Sequence, residues 1–191
     1  MESLLTDGEL LARSVEKPAV FGELFERHEL AVRRYVGRRL GDAAAADIAS
    51  EVFIRAFRAR GRYRPERDAA LPWLLGIANH VIADHRRLER RRLATLARSA
   101  GQAPGIVEHR DSDLAPELVA ALRQLPRVER DTLLLIVWGE LTREEAAAAL
   151  GVPVGTINSR VARARKRLAA ALTQAPPAHP AELRLNGETH V

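Results

Sequence analysis

The chain has 191 residues, 47% of them hydrophobic, enough for one medium core or two small ones. Its formal charge of +5 is carried almost wholly by arginine, since Lys17 and Lys166 are the two lysines; guanidinium groups favour bidentate contact with phosphate and guanine, although an Arg-rich, Ala-rich composition also follows from a GC-rich genome. With no cysteine, a disulfide framework and a Cys-based zinc site are excluded.

Strand signals are nearly absent, whereas apolar residues recur at helical spacing from Leu10 to Leu172, which predicts an all-α chain. A short helix is expected after Asp7, then a long one over residues 18–40 with Phe21, Leu24, Phe25, Val32, Tyr35 and Val36 on one face. Gly41 and Asp42 end it and cap the next. A third helix over 43–60 buries Ile48, Val52, Phe53 and Phe57; a loop over 61–71 leads to a fourth over 72–92. Periodicity stops between Arg98 and Asp113, where a flexible linker is expected. A second helical block follows over 114–172, and the proline-containing tail beyond it is expected to stay disordered. The division is therefore a first domain over 1–95, a linker over 96–112, a four-helix domain with a helix-turn-helix over 113–173 and a tail over 174–191.

Residues 141–168 carry the most chemistry. Thr142 and Glu145 have the spacing of a capping box. Ala147, Gly151 and Ile157 then fall at helix-turn-helix spacing: a small residue where helices cross, a glycine in the turn, an apolar anchor beneath the second helix. Pro153 suits that helix's first turn. Ile157, Val161, Ala164 and Leu168 form its buried stripe. Thr156, Asn158, Ser159, Arg160 and Arg163 are left outside, and residues 153–172 hold five basic side chains and no acid. Hydroxyl, amide and guanidinium groups on one helix suit entry into a DNA major groove; a bare charge run would instead be a solvated face.

This segment closely resembles the domain of extracytoplasmic-function sigma factors, of the sigma-70 family, that reads the promoter −35 element, and Leu125-Pro126 and Gly139-Glu-Leu-Thr142 fit the same pattern. The resemblance implies that Arg143, Thr156, Asn158, Ser159, Arg160 and Arg163 contact −35 DNA. In the first block, Phe21, Leu24, Phe25 and His28 are similar to the family's opening helix, the stretch Asp47 to Phe53 to its clamp-binding helix, and Trp73, Leu74, Ile77 and Ala78 to its fourth helix, continued by Asp84 and Arg86, Arg87, Arg90, Arg91 and Arg92. It implies that Asp47, Ser50 and Glu51 bind polymerase, and that Arg62, Tyr63, Arg64, Asn79, His80, Arg86 and Arg87 serve recognition and melting of the −10 element. A loop aromatic between guanidinium groups can stack on an unpaired base. Trp73 and Ile77 are expected in the core. The chain has Ala46-Asp47 and Ser50-Glu51 where the family usually has Glu-Asp and Gln-Glu, and Asn79-His80 where it often has Arg-Asn. Implied partners are core RNA polymerase (clamp and flap), promoter DNA and an anti-sigma factor.

One rival reading is a transcriptional regulator that binds its operator without polymerase, but the parallel sheet of a phosphoacceptor domain is missing. An enzyme is the other. Only His80 and Asp84 have a metal-ligand spacing, with no third ligand nearby, and no phosphate-cradling glycine loop occurs. No catalytic residue, metal or cofactor is expected. The longest apolar run, residues 132–138, is too short to span a membrane and the N-terminus does not read as a leader, so a cytoplasmic protein is expected.

Overall fold

The computed structural model describes residues 5–64, 69–99 and 114–174, and the expected linker and tail lie almost wholly outside them. The described residues form eight α-helices and no strand: α1 (Asp7–Glu16), α2 (Phe21–Leu40), α3 (Asp42–Ala59), α4 (Leu71–Ser99), α5 (Pro116–Gln124), α6 (Arg127–Val137), α7 (Arg143–Leu150) and α8 (Val154–Gln174), with 3-10 turns at Pro18–Val20 and Arg60–Arg62. Thr6 starts α1 with a capping box closed by Glu9. Asp42, expected to cap α3, instead stands inside it. The cap is Gly41 at φ 83°, a left-handed conformation that suits glycine. Helix α4 continues to Ser99, past its expected end at Arg92. Residues 93–99 contain neither glycine nor proline, so nothing local stops it.

In the first block α2, α3 and α4 pack on one another and α1 lies on α2. Leu24, Val32, Tyr35, Val36, Val52, Leu74 and Ala78 are fully buried between them. Phe25 departs from the expected face: it is 40% exposed and meets Phe53 edge-on at 4.8 Å. In the second block α8 packs against α5, α6 and α7, with Leu122, Leu134 and Ala164 in a small core of their own.

The two blocks also touch. Helix α4 packs on α7, and Leu135, Leu141, Ala146, Ala147, Ile157 and Val161 of the second block continue the core of the first. Gly76 permits this approach, because a Cβ there would fall on the Ala149 backbone carbonyl. A buried ion pair closes the contact: Arg39, 2% exposed, donates to Asp131 Oδ1 at 2.6 Å. Within the first block Arg39 also donates to the Tyr35 hydroxyl at 2.8 Å and Asn79 Oδ1 at 2.9 Å. Burial works against the charge on Arg39, but Tyr35 and Asp131 outweigh it and hold the guanidinium protonated.

Candidate nucleic-acid and polymerase interfaces

The helix-turn-helix is α7 and α8. Thr142 caps α7, accepting from the Glu145 amide at 3.2 Å while Glu145 Oε2 accepts from the Thr142 amide at 2.7 Å. Gly151 ends α7 at φ 63° in the left-handed region, the residue the turn demands. Pro153 sits one residue ahead of α8, its carbonyl accepting from the Thr156 and Ile157 amides. Ile157, Val161 and Ala164 are buried and Leu168 is half-buried, which turns the opposite face of α8 to solvent.

On that face Asn158, Ser159 and Arg163 are exposed, and Thr156 and Arg160 are half-exposed. Arg143 reaches across from α7 and donates to Asn158 Oδ1 at 2.9 Å, so these two expected contacts are held together. Ser159 returns its hydroxyl to the Thr156 carbonyl at 2.9 Å. Arg163 is engaged: its Nε donates to Glu129 Oε1 at 3.1 Å, and Arg167 Nε lies 3.2 Å from Glu129 Oε2. Glu129 on α6 is buried, and two guanidinium groups compensate its charge. Arg160 has no ion pair among the described residues.

The −10 candidates divide. Arg62 and Arg64 are exposed; Tyr63 donates its hydroxyl to the Ala69 carbonyl at 3.1 Å and stands against Trp73 with ring centroids 4.8 Å apart. A cavity of about 630 Å³ beside them is lined by Arg62, Tyr63, Arg64 and Trp73 from the first block and by Glu144, Glu145 and Pro153 among others from the second. Asn79 corrects its expected role: it is 4% exposed and its amide oxygen accepts from Tyr35 and Arg39, making it an interior group in this arrangement. His80 is exposed, its Nδ1 2.9 Å from the Gly76 carbonyl. Arg86 donates to the Arg39 carbonyl at 2.6 Å, while Arg87 is exposed. Trp73 and Ile77 are only half-buried.

On α3, Asp47 and Ser50 are exposed, and Ser50 bonds the Ala46 carbonyl at 2.9 Å. Glu51 is bound to Arg55 Nε at 2.8 Å, and Arg55 NH1 reaches Asp84 Oδ2 at 2.9 Å. The Arg55 bond, opposed weakly by burial, holds the Asp84 carboxyl below its usual range. Ile54, 45% exposed one turn on, extends this face. Arg39, Asp131 and Glu129 are buried charged residues beside these surfaces that the sequence reading did not single out. Arg39 stands in the apolar stripe of α2 at the spacing of Val32, Tyr35 and Val36, and that was its one visible signal.

Among the described residues no group of three His, Cys, Asp or Glu side chains is placed to hold a metal ion, and no helix is long and apolar enough to cross a membrane.

The comparisons agree with this layout. Residues 24–92 match the family model of sigma-70 region 2, and residues 116–168 that of sigma-70 region 4. A probable RNA polymerase sigma-C factor of Mycobacterium bovis is 40% identical over 141 residues, covering 73% of this chain and 76% of the relative. The factor EcfG of Rhodopseudomonas palustris is 34% identical over 133 residues, 67% of this chain and 71% of that one. Among solved structures, CnrH in complex with the cytosolic domain of CnrY superposes with a TM-score of 0.60 at 26% identity, over 89% of this chain and 99% of CnrH. The sigma factor RpoE of Bartonella quintana, in complex with the anti-sigma factor NepR, shares the fold with a TM-score of 0.58 at 23% identity, over 82% and 98% of the two chains. The chain thus belongs to the extracytoplasmic-function sigma factors of the sigma-70 family, subunits that join core RNA polymerase and direct it to promoters.

Proposed function

We propose that the outer face of α8, with Thr156, Asn158, Ser159 and Arg160 and with Arg143 alongside, reads the −35 element, while Arg62, Tyr63 and Arg64 serve the −10 element and Asp47, Ser50 and Glu51 meet the polymerase clamp. The observation that carries this reading is the helix-turn-helix with its polar side chains turned outward over a buried Ile157–Val161–Ala164 stripe. The −35 and −10 elements stand about 25 base pairs apart, roughly 85 Å at ~3.4 Å per step, whereas packed helices lie about 10 Å from each other. The docked arrangement of the two blocks cannot serve both elements, so the chain opens to work. An anti-sigma factor is the proposed inhibitor, by analogy with RpoE, whose structure holds the anti-sigma factor NepR.

A gel shift tests the central distinction: promoter duplex should be bound by the chain together with core polymerase and not by the chain alone. Tight, sequence-specific binding by the chain alone would favour a free-standing regulator. Arg87 is proposed to act through phosphate attraction, without base choice. Arg87→Ala should therefore weaken opening of all promoters alike and lower the slope of log affinity against log salt by about 0.7–0.9. A loss confined to one promoter in a salt titration would contradict that role.

A further inference from the structure

Helix α1 ends before the region 2 match begins at residue 24. Its two ends grip the two ends of the segment that bears Arg62, Tyr63 and Arg64. At the near end Arg60 Nε donates to the Ser14 carbonyl at 3.1 Å, its NH1 donates to the Phe57 carbonyl at 2.6 Å, and its guanidinium lies 3.7 Å from the centre of the Phe57 ring. At the far end Asp7 Oδ2 accepts the Ala70 amide at 2.9 Å, directly ahead of α4. Amides at a helix start lack an intrahelical acceptor, and a carboxylate there also suits the positive end of the helix.

The grip is rigid. A helix rises ~1.5 Å per residue, so Asp7 and Ser14 are held about 10 Å apart along α1. Asp7 is itself fixed from α2, with Oδ2 2.7 Å from His28 Nε2 and Oδ1 3.3 Å from Arg27 NH1, and Arg27 also donates to the Leu5 carbonyl at 2.7 Å. Burial raises the Asp7 carboxyl, but the Ala70 amide, His28 and Arg27 together hold it below its ordinary value, so it stays an ionised acceptor at neutral pH. The far end matters to the aromatic because the Tyr63 hydroxyl bonds the Ala69 carbonyl, one residue from the amide that Asp7 holds.

We infer that Asp7 is a positioning residue for promoter opening: by holding the Ala70 amide while the Ser14 carbonyl holds Arg60, α1 fixes the spacing of the two ends that present Tyr63 to an unstacked base. This rests on the assignment of Arg62, Tyr63 and Arg64 to the −10 element. A residue that merely stabilised the fold would lower activity on every template equally. A positioning residue alters discrimination among −10 sequences and is bypassed when the DNA is already open.

The test uses the full chain with core polymerase, at matched concentrations of assembled holoenzyme. The variants are Asp7→Asn, Arg60→Gln and Tyr63→Ala, with a fluorescent base analogue in the −10 element reporting unstacking. Asp7→Asn and Arg60→Gln should each slow unstacking by up to about 5- to 150-fold, the range a base–aromatic stack is worth. They should also flatten the preference among −10 base substitutions, keep −35 discrimination and regain activity on a pre-melted bubble. Arg60→Gln carries the test by itself if Asp7→Asn does not fold. If Tyr63→Ala flattens −10 preference and the other two keep the wild-type profile, or lose activity uniformly on duplex and bubble, the inference fails and the −10 assignment stands. If Tyr63→Ala leaves −10 preference intact, the assignment fails and takes the inference with it.

Discussion

Gly76→Ala should drive the two helical blocks apart while leaving the first block folded. The added methyl would fall on the Ala149 carbonyl of α7, a backbone atom that cannot rotate away, so α4 and α7 must separate. Within α4 itself alanine is the better helix former by about 1 kcal/mol, so the first block should not lose stability. Asp131→Ala should act in the same direction by another route. Removing one partner of a buried ion pair costs roughly 3–5 kcal/mol if the other stays buried, and Arg39 avoids that cost by reaching water once the blocks part. Because the chain has no native cysteine, a dye pair can be placed at Glu16→Cys and Gln124→Cys, both exposed positions on different blocks. Energy transfer should fall in both variants. Transfer unchanged from the parent, with helicity retained, would show that the docked arrangement does not depend on these contacts.

Arg160→Ala should have the largest effect on −35 choice of any change on α8. Its neighbours are committed: Arg163 and Arg167 to Glu129, Arg143 to Asn158. Arg160 alone among these arginines has no acceptor within the described residues. A guanidinium bonded to a base edge is worth about 1–3 kcal/mol of discrimination, or roughly 5- to 150-fold in relative affinity. Transcription from templates substituted singly through the −35 element should lose its preference at one or two positions. If the preference profile were unchanged and output fell evenly, Arg160 would be a phosphate contact and the reading face would lie elsewhere.

Much of the second block was legible in the sequence because its signals are local. Thr142 and Glu145 reach each other within one turn, Gly151 is demanded by one backbone conformation, and the stripe from Ile157 to Leu168 follows from helical period alone. The parts that escaped are those that depend on residues far apart in the chain. Arg39 meets Asp131 across 92 positions, so a guanidinium within an apolar stripe could not be read as the centre of a buried network. Asn79 was likewise expected at the −10 element through the resemblance, and only the packing of α2 on α4 shows that Tyr35 and Arg39 use it. Gly76 carries no sign in sequence that another helix will lie on it. Asp7 was visible as the start of a helix, but its bond to the Ala70 amide spans 63 positions.

A chain that turns core polymerase toward promoters through two separated readings of DNA leaves its mark on where transcripts begin. The most direct measurement is to map transcript starts made by core polymerase on a library of genomic fragments, with and without the full chain. Starts that appear only with the chain and share two short elements at constant spacing are the predicted result. No chain-dependent starts, or starts that share no upstream element, would contradict it.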